Sequence, residues 1–201
     1  MSLKAPLVGL TAPFILAALG LCAAPVLAAP VTYQLDPSHT YVSFAAPHIQ
    51  AISYWRGKFN RTESGTVTLD PAAHKGSIEV VIDASSIDVG FPALTEELRG
   101  PQFLDSAKYP TATYRADVVR FKGDKPVEAV GKLTLHGVTK PVRLKIDSFK
   151  CIADPFAKNV ERCGANASAV IDRSAFGVSE YAKMTGSQVR LEIQVEGTRP
   201  R

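Results

Sequence analysis

Asp36, Ser38 and His39 fall within four positions of one another in LDPSHTYVSF, and these are the three residue types of a nucleophilic triad. Extended backbone sends neighbouring side chains to opposite faces, so in a strand Ser38 and His39 point apart. Asp36 before Pro37 is better suited to an Asx turn, its carboxylate accepting from the amide of Ser38 or His39. A G-x-S-x-G nucleophile elbow is absent from the sequence. The four histidines, His39, His48, His74 and His136, form neither H-x-H nor H-E-x-x-H, so the zinc signal is weak and no metal is expected. No Walker sequence or dinucleotide fingerprint occurs. His74 lies in a lysine-containing turn, and His136 precedes Gly137 at another. His48 shares parity with Val42, Phe44 and Ala46, and reads either as a hydrogen-bonded residue near a strand end or as a polar handle at the mouth of a cavity.

Three cysteines are present. Cys22 falls in an N-terminal segment with Lys4, the apolar run FILAALGLCAA and a small-residue end at Ala28. Residues 1–28 therefore read as a secretory signal peptide, its apolar run being shorter than the ~20 residues of a spanning helix. A lipoprotein reading of Cys22 is weakened by Leu21 before it. Cys151 and Cys163 flank IADPFAKNVER, and in an exported protein such a pair is most simply a disulfide, worth about 3 kcal/mol by loop closure. Their spacing is not C-x-x-C.

The elements that would position these groups are strands. Alternation with period two recurs in YVSFAAPH, WRGKF, SGTVTLD, SIEVVID, TYRADVVRF, VGKLTLHG, VRLKIDSF, ANASAVID and VRLEIQVEG. DPAAHKGS, FKGDKPV and HGVTKPV supply hairpin chemistry between them. One helix is expected from Pro92, with Leu94 and Leu98 four apart and Gly100-Pro101 as its stop. Long strands with Gly57, Gly65 and Gly131 favour a coiled antiparallel barrel over an immunoglobulin-type sandwich, whose cysteines would lie in distant strands. Net charge is +4 and the basic residues, among them Arg56, Lys58, Lys140 and Arg143, are scattered. That distribution suits a solvated surface and leaves attraction to anionic membranes open, without a nucleic-acid footprint.

Taken in order, YQLDPSHTYVSFAAPHI, WRGKFNRTESGTVTLD, IEVVIDASSIDVG, LRGPQFLDSAKYP, VGKLTLHGVTKPVRL and IDRSAFGVS resemble the YceI family of exported bacterial proteins. The resemblance implies an all-β domain over residues 30–201: an elongated, roughly eight-stranded antiparallel lipocalin-like β-barrel with one short helix. It further implies a tunnel for polyisoprenoids and a tendency to form homodimers. DPSHT then resembles the family's opening signature, and His48 the histidine that ends the first inward run. Two departures stand out: Glu97 replaces a usual histidine before Leu98, and Leu104 replaces a common aromatic beside Phe103.

From parity and this resemblance, the tunnel wall is expected to comprise Val42, Phe44, Ala46, Phe59, Leu133, Leu135, Leu144, Ile146, Phe176, Leu191 and Ile193. Each has ordinary core packing as its alternative. Phe103 is assigned to the tunnel rim, and His48, Arg99 and Arg173 to orientation of a head group. Small residues on the relevant faces, Ala46, Gly57, Gly131, Ala167 and Ala169, suggest an unfilled interior. The expected function is a periplasmic, non-enzymatic carrier of an apolar lipid, a polyisoprenoid or isoprenoid quinone bound as ligand and no other cofactor. Its alternatives are presentation of a quinone or lipid for redox or hydrolytic chemistry, in contact with a membrane surface or a membrane cytochrome, and a ligand-free interaction module.

Overall fold

The computed structural model describes residues 29–200; the signal peptide expected over residues 1–28 lies outside them. Eleven strands form one antiparallel sheet: β1 (Val31–Leu35), β2 (Tyr41–His48), β3 (Ser53–Phe59), β4 (Thr62–Asp70), β5 (Lys75–Asp83), β6 (Ile87–Asp88), β7 (Thr111–Lys122), β8 (Lys125–Leu135), β9 (Val138–Ala153), β10 (Val160–Asp172) and β11 (Gln188–Pro200). The sheet runs β1-β4-β5-β7-β8-β9-β10-β11-β2-β3-β6, and β1 also pairs β11, which closes the ring. Because β1 with β2, β3 with β4, and β5 with β6 each continue one broken strand, the eleven segments make eight staves of an up-and-down barrel. Closure removes the exposed edges that an open sheet of this size would present.

Two of the three breaks are made by the same device. Asp36 and Asp83 each cap a short 3-10 turn by accepting the amide of the serine two residues on, at 3.0 and 2.8 Å. A third Asp-x-Ser turn, Asp172 to the Ser174 amide at 2.9 Å, ends β10. The D-P-S-H motif is thus one of three structural caps.

The expected hairpins are present. At the β8–β9 turn His136 and Gly137 adopt φ 51° and 72°, the left-handed pair that a two-residue hairpin turn requires. Helix α1 (Pro92–Arg99) begins with proline at its first turn and ends at Gly100, as its sequence predicts. It packs against β6, which pairs β3 and not β7. A second, four-residue helix, α2 (Ala182–Thr185), has no signature that the sequence analysis recognised.

Inward residues form two buried groups. One, toward the α1 and α2 end, gathers Ile82, Ile87, Phe103, Leu104, Leu135, Ile171, Phe176 and Val189. The other, toward the chain termini, gathers Tyr33, Leu69, Val119, Ala129, Leu144 and Cys163. Cys151 and Cys163 are direct partners across β9 and β10 and form the disulfide, with a Cα–Cα distance of 4.0 Å.

Candidate functional site

Between the two buried groups runs a lumen of about 640 Å³ that spans the barrel. Alternation places the apolar residues of each stave on its wall: Val42, Phe44 and Ala46 of β2, Phe59 of β3, Leu133 and Leu135 of β8, Leu144 and Ile146 of β9, Leu191 and Ile193 of β11. His48, Phe103 and Arg173 line it too. The lining also includes residues that sequence reasoning did not single out, among them Val67, Leu69, Ile78, Val80, Tyr114 and Val119 on β4, β5 and β7. Their signal is the same alternation, as strong in SGTVTLD and SIEVVID as in β2, β8, β9 and β11.

Phe176 and Arg99 do not face the lumen. Phe176 is 2 % exposed and packs in the core as the last residue of the third 3-10 turn, where the alternation of β10 no longer applies. Arg99 is part-buried and reaches from the end of α1 to β6, donating from Nη1 to Glu96 at 2.6 Å and from Nη2 to the Ile87 carbonyl at 3.0 Å. It also lines a separate shallow hollow with Asn60, Arg61 and Asp83.

Small residues prove an unreliable sign of empty space. Ala46 and Ala167 line the lumen, whereas Gly57, Gly131 and Ala169 do not. At Gly57 a Cβ would lie 2.7 Å from both the Phe44 ring and Val89, and at Gly131 it would lie 2.3 Å from the Arg115 carbonyl. These glycines admit neighbouring atoms and leave no void.

The exposed residues of the lining, Trp55, Phe91, Ala93, Glu97, Tyr181 and Met184, all lie at the α1 and α2 end, which is therefore the mouth. Trp55 stacks on Phe91 with centroids 6.4 Å apart and presents its edge to His48 at 6.0 Å. The opposite end is lined by Tyr33, Pro126, Phe149 and Cys163, none of them exposed.

Arg173 cannot offer its guanidinium to a ligand freely. Nη1 donates to the Val178 carbonyl at 2.8 Å, and Nη2 to the Glu180 carbonyl at 2.9 Å, the Thr185 hydroxyl at 3.1 Å and the Gly186 carbonyl at 3.3 Å. Burial pulls its pKa down, opposed by Asp172 and Glu180. Its role is to tie the segment that carries α2 to the end of β10. The polar side chains left at the mouth are chiefly His48, Glu97 and Glu180.

Deep in the lumen the Tyr114 hydroxyl is satisfied by the Ala129 and Val142 carbonyls at 3.2 and 3.1 Å. Burial, with a smaller contribution from Glu128, pushes its pKa up to about 12, so it stays a neutral donor engaged with the wall.

Outside the lumen, the D-P-S-H turn corrects one expectation. The segment is not extended, and Ser38 and His39 meet: Ser38 Oγ lies 3.1 Å from His39 Nδ1. Ser38 Oγ nevertheless donates to Asp36 Oδ1 at 2.6 Å, and His39 Nδ1 lies 2.8 Å from Asp36 Oδ2. Serine and aspartate converge on the same ring nitrogen, where a triad needs them on opposite ones. Arg162 completes the group, 3.0 Å from Asp36 and also paired to Asp154 and Glu196. Among the described residues, the one group of three that could hold a metal is Cys151, Glu161 and Cys163, and its two sulfurs are bonded to each other.

A closed eight-stave antiparallel barrel around an apolar lumen defines a β-barrel protein of lipocalin-like form. Residues 33–197 match the family model of the YceI-like domain, and the chain belongs to that family. It is 33% identical over 198 residues to Protein YceI of Escherichia coli O157:H7, covering 97% of this chain and 98% of that one. A UPF0312 protein of Vibrio cholerae is 32% identical over 188 residues, covering 90% of this chain and 96% of the relative. Among solved structures, the fold resembles BcnA of Burkholderia cenocepacia (TM-score 0.62, 23% identity, 81% of this chain and 98% of that one). It also resembles a polyisoprenoid binding domain of Saccharophagus degradans (TM-score 0.60, 16% identity, 84% and 98%).

Proposed function

We propose that this protein is a non-catalytic carrier of a long apolar lipid, a polyisoprenoid or isoprenoid quinone, acting in the periplasm. The observation that carries the reading is the lumen of about 640 Å³, walled by apolar side chains and open at one end. If each carbon-sized group takes the ~30 Å³ that a water molecule occupies in the liquid, it accommodates roughly twenty such groups. Burying them at ~0.8 kcal/mol each gives about 16 kcal/mol gross, beneath the ~18–21 kcal/mol ceiling on non-covalent affinity before ordering costs are deducted. The tail therefore supplies the affinity, and a longer tail leaves its remainder against Trp55 and Phe91. The fold shared with a polyisoprenoid binding domain supports the same cargo.

Polar groups at the mouth act on the head. With the Arg173 guanidinium committed to backbone carbonyls, and the Glu97 and Glu180 carboxylates nearby, the mouth suits a neutral hydrogen-bonding head such as a hydroxyl, phenol or quinone better than a phosphate. Extraction of the purified protein and mass spectrometry of the extract test this. A prenyl lipid with a neutral head, at a stoichiometry near one, is the expected result. Purified protein that carries no lipid and takes up none from prenyl-lipid dispersions would refute it.

A further inference from the structure

Large exposed apolar side chains are concentrated at the mouth. Seven of the eleven in the described structure, Ile49, Ile52, Tyr54, Trp55, Phe91, Tyr181 and Met184, stand there, while Val118, Ile152, Phe156 and Val170 are scattered over the rest of the barrel. Ile52 is 78% exposed at the tip of the β2–β3 hairpin. The tip holds three successive non-glycine residues, Ile49, Gln50 and Ala51, at φ 33°, 53° and 61°. This left-handed backbone is costly for a β-branched residue such as Ile49. Local strain is thus borne in a turn that buries neither isoleucine. The Gln50 amide donates to the Met184 carbonyl at 2.9 Å, which joins the hairpin tip to α2 in one platform.

The charge around this platform favours one kind of occupant. The hairpin from His48 to Lys58 contains Arg56 and Lys58 and no aspartate or glutamate, and α2 adds an exposed Lys183, whereas the carboxylates of the mouth, Glu96, Glu97 and Glu180, lie outside the hairpin, on α1 and before α2. On the hairpin, aromatic and aliphatic side chains accompanied by cations alone suit the head-group region of a bilayer, where tryptophan and tyrosine partition favourably. Trp55, Phe91, Tyr181 and Met184 belong both to this rim and to the lumen lining, so apolar surface is continuous from outside to inside. A second copy seated here would instead cover the opening through which cargo passes.

We propose that the mouth of the barrel docks on a lipid bilayer, with Ile49 and Ile52 inserted and Trp55 held at the level of the head groups. The docking rests on the carrier reading for its purpose: a prenyl lipid is essentially insoluble in water, and a seated mouth lets its tail pass from bilayer to lumen without crossing water.

Trp55 is the one tryptophan of the chain, so intrinsic emission reports on the mouth alone. Vesicles of phosphatidylethanolamine and phosphatidylglycerol with brominated acyl chains are to be mixed with the native protein and with Ile52→Asp and Ile49→Asp. Neither isoleucine lines the lumen, so both variants retain the capacity to load a prenyl lipid from detergent. The native protein is expected to co-sediment with vesicles and to lose Trp55 emission to bromine, and each variant to bind at least about tenfold more weakly. Binding of the variants equal to native, or no vesicle binding by native protein, overturns the proposal. So does a native dimer that shields Trp55 and becomes a monomer in Ile52→Asp. Vesicle binding lost in the variants while no form ever loads lipid upholds docking and overturns the carrier reading instead.

Discussion

Ala167→Phe separates a ligand cavity from an ordinary core, because the two make opposite predictions for it. Ala167 of β10 sits 8 % exposed between Ile193 and Ile146, and its side chain lines the lumen. Phenylalanine adds six carbons there, close to a third of the roughly twenty carbon-sized groups the lumen accommodates. If the lumen is space for a tail, the ring displaces tail atoms with a gross loss of up to about 5 kcal/mol. The tail can withdraw toward the mouth and recover much of this, yet a residue of even 1.4 kcal/mol is a tenfold rise in Kd. Meanwhile the ligand-free protein gains buried apolar surface and holds or raises its stability. In a filled core the same change would overpack and cost about 1–3 kcal/mol. Urea denaturation of the delipidated protein and displacement of a fluorescent prenyl lipid read the two quantities independently. Lower stability with undiminished lipid affinity would refute the lumen as a binding site.

His48→Ala should alter head-group choice and exchange rate more than tail affinity, since His48 stands at the mouth against Trp55; competition between prenols and prenyl phosphates checks this, with Glu97→Gln expected to improve phosphate binding. Replacing Cys151 and Cys163 together by alanine should cost about 3 kcal/mol by chain entropy, measured by denaturant titration. Asp36→Asn should destabilise the fold in a pH-dependent way. The Ser38 hydroxyl first, then Arg162 and His39, hold the Asp36 carboxyl well below the usual aspartate range. Its contribution is therefore complete above the unfolded value of about 3.9 and is lost as pH falls through the folded one. The stability gap between Asp36→Asn and native protein should be constant from pH 7 to about pH 5 and narrow progressively below about pH 4; a gap of undiminished size at pH 2 would show that the carboxylate charge is not its source.

The barrel was legible because its information is local. In β2 the sequence YVSFAAPH states which side chains share a face, and sheet closure converts that face into a lumen wall without further specification. Turns carried their own chemistry, as at His136-Gly137. Phe176 and Arg99 stand where periodicity stops being a guide: Phe176 in a 3-10 turn after β10, Arg99 as the last residue of α1, where its guanidinium reaches back to the Ile87 carbonyl. Arg173 shows a different limit. Its position at the mouth followed from the sequence, but its availability did not, because the acceptors that occupy its guanidinium are backbone carbonyls at residues 178, 180 and 186, and no residue type announces them. The D-P-S-H segment was read through its residue types, while its decisive feature was recurrence: Asp36-Pro-Ser, Asp83-Ala-Ser and Asp172-Arg-Ser form the same cap in three places. A catalytic constellation needs one such grouping, at a site open to substrate. A cap is needed wherever a stave must bend or stop, and that is where all three stand.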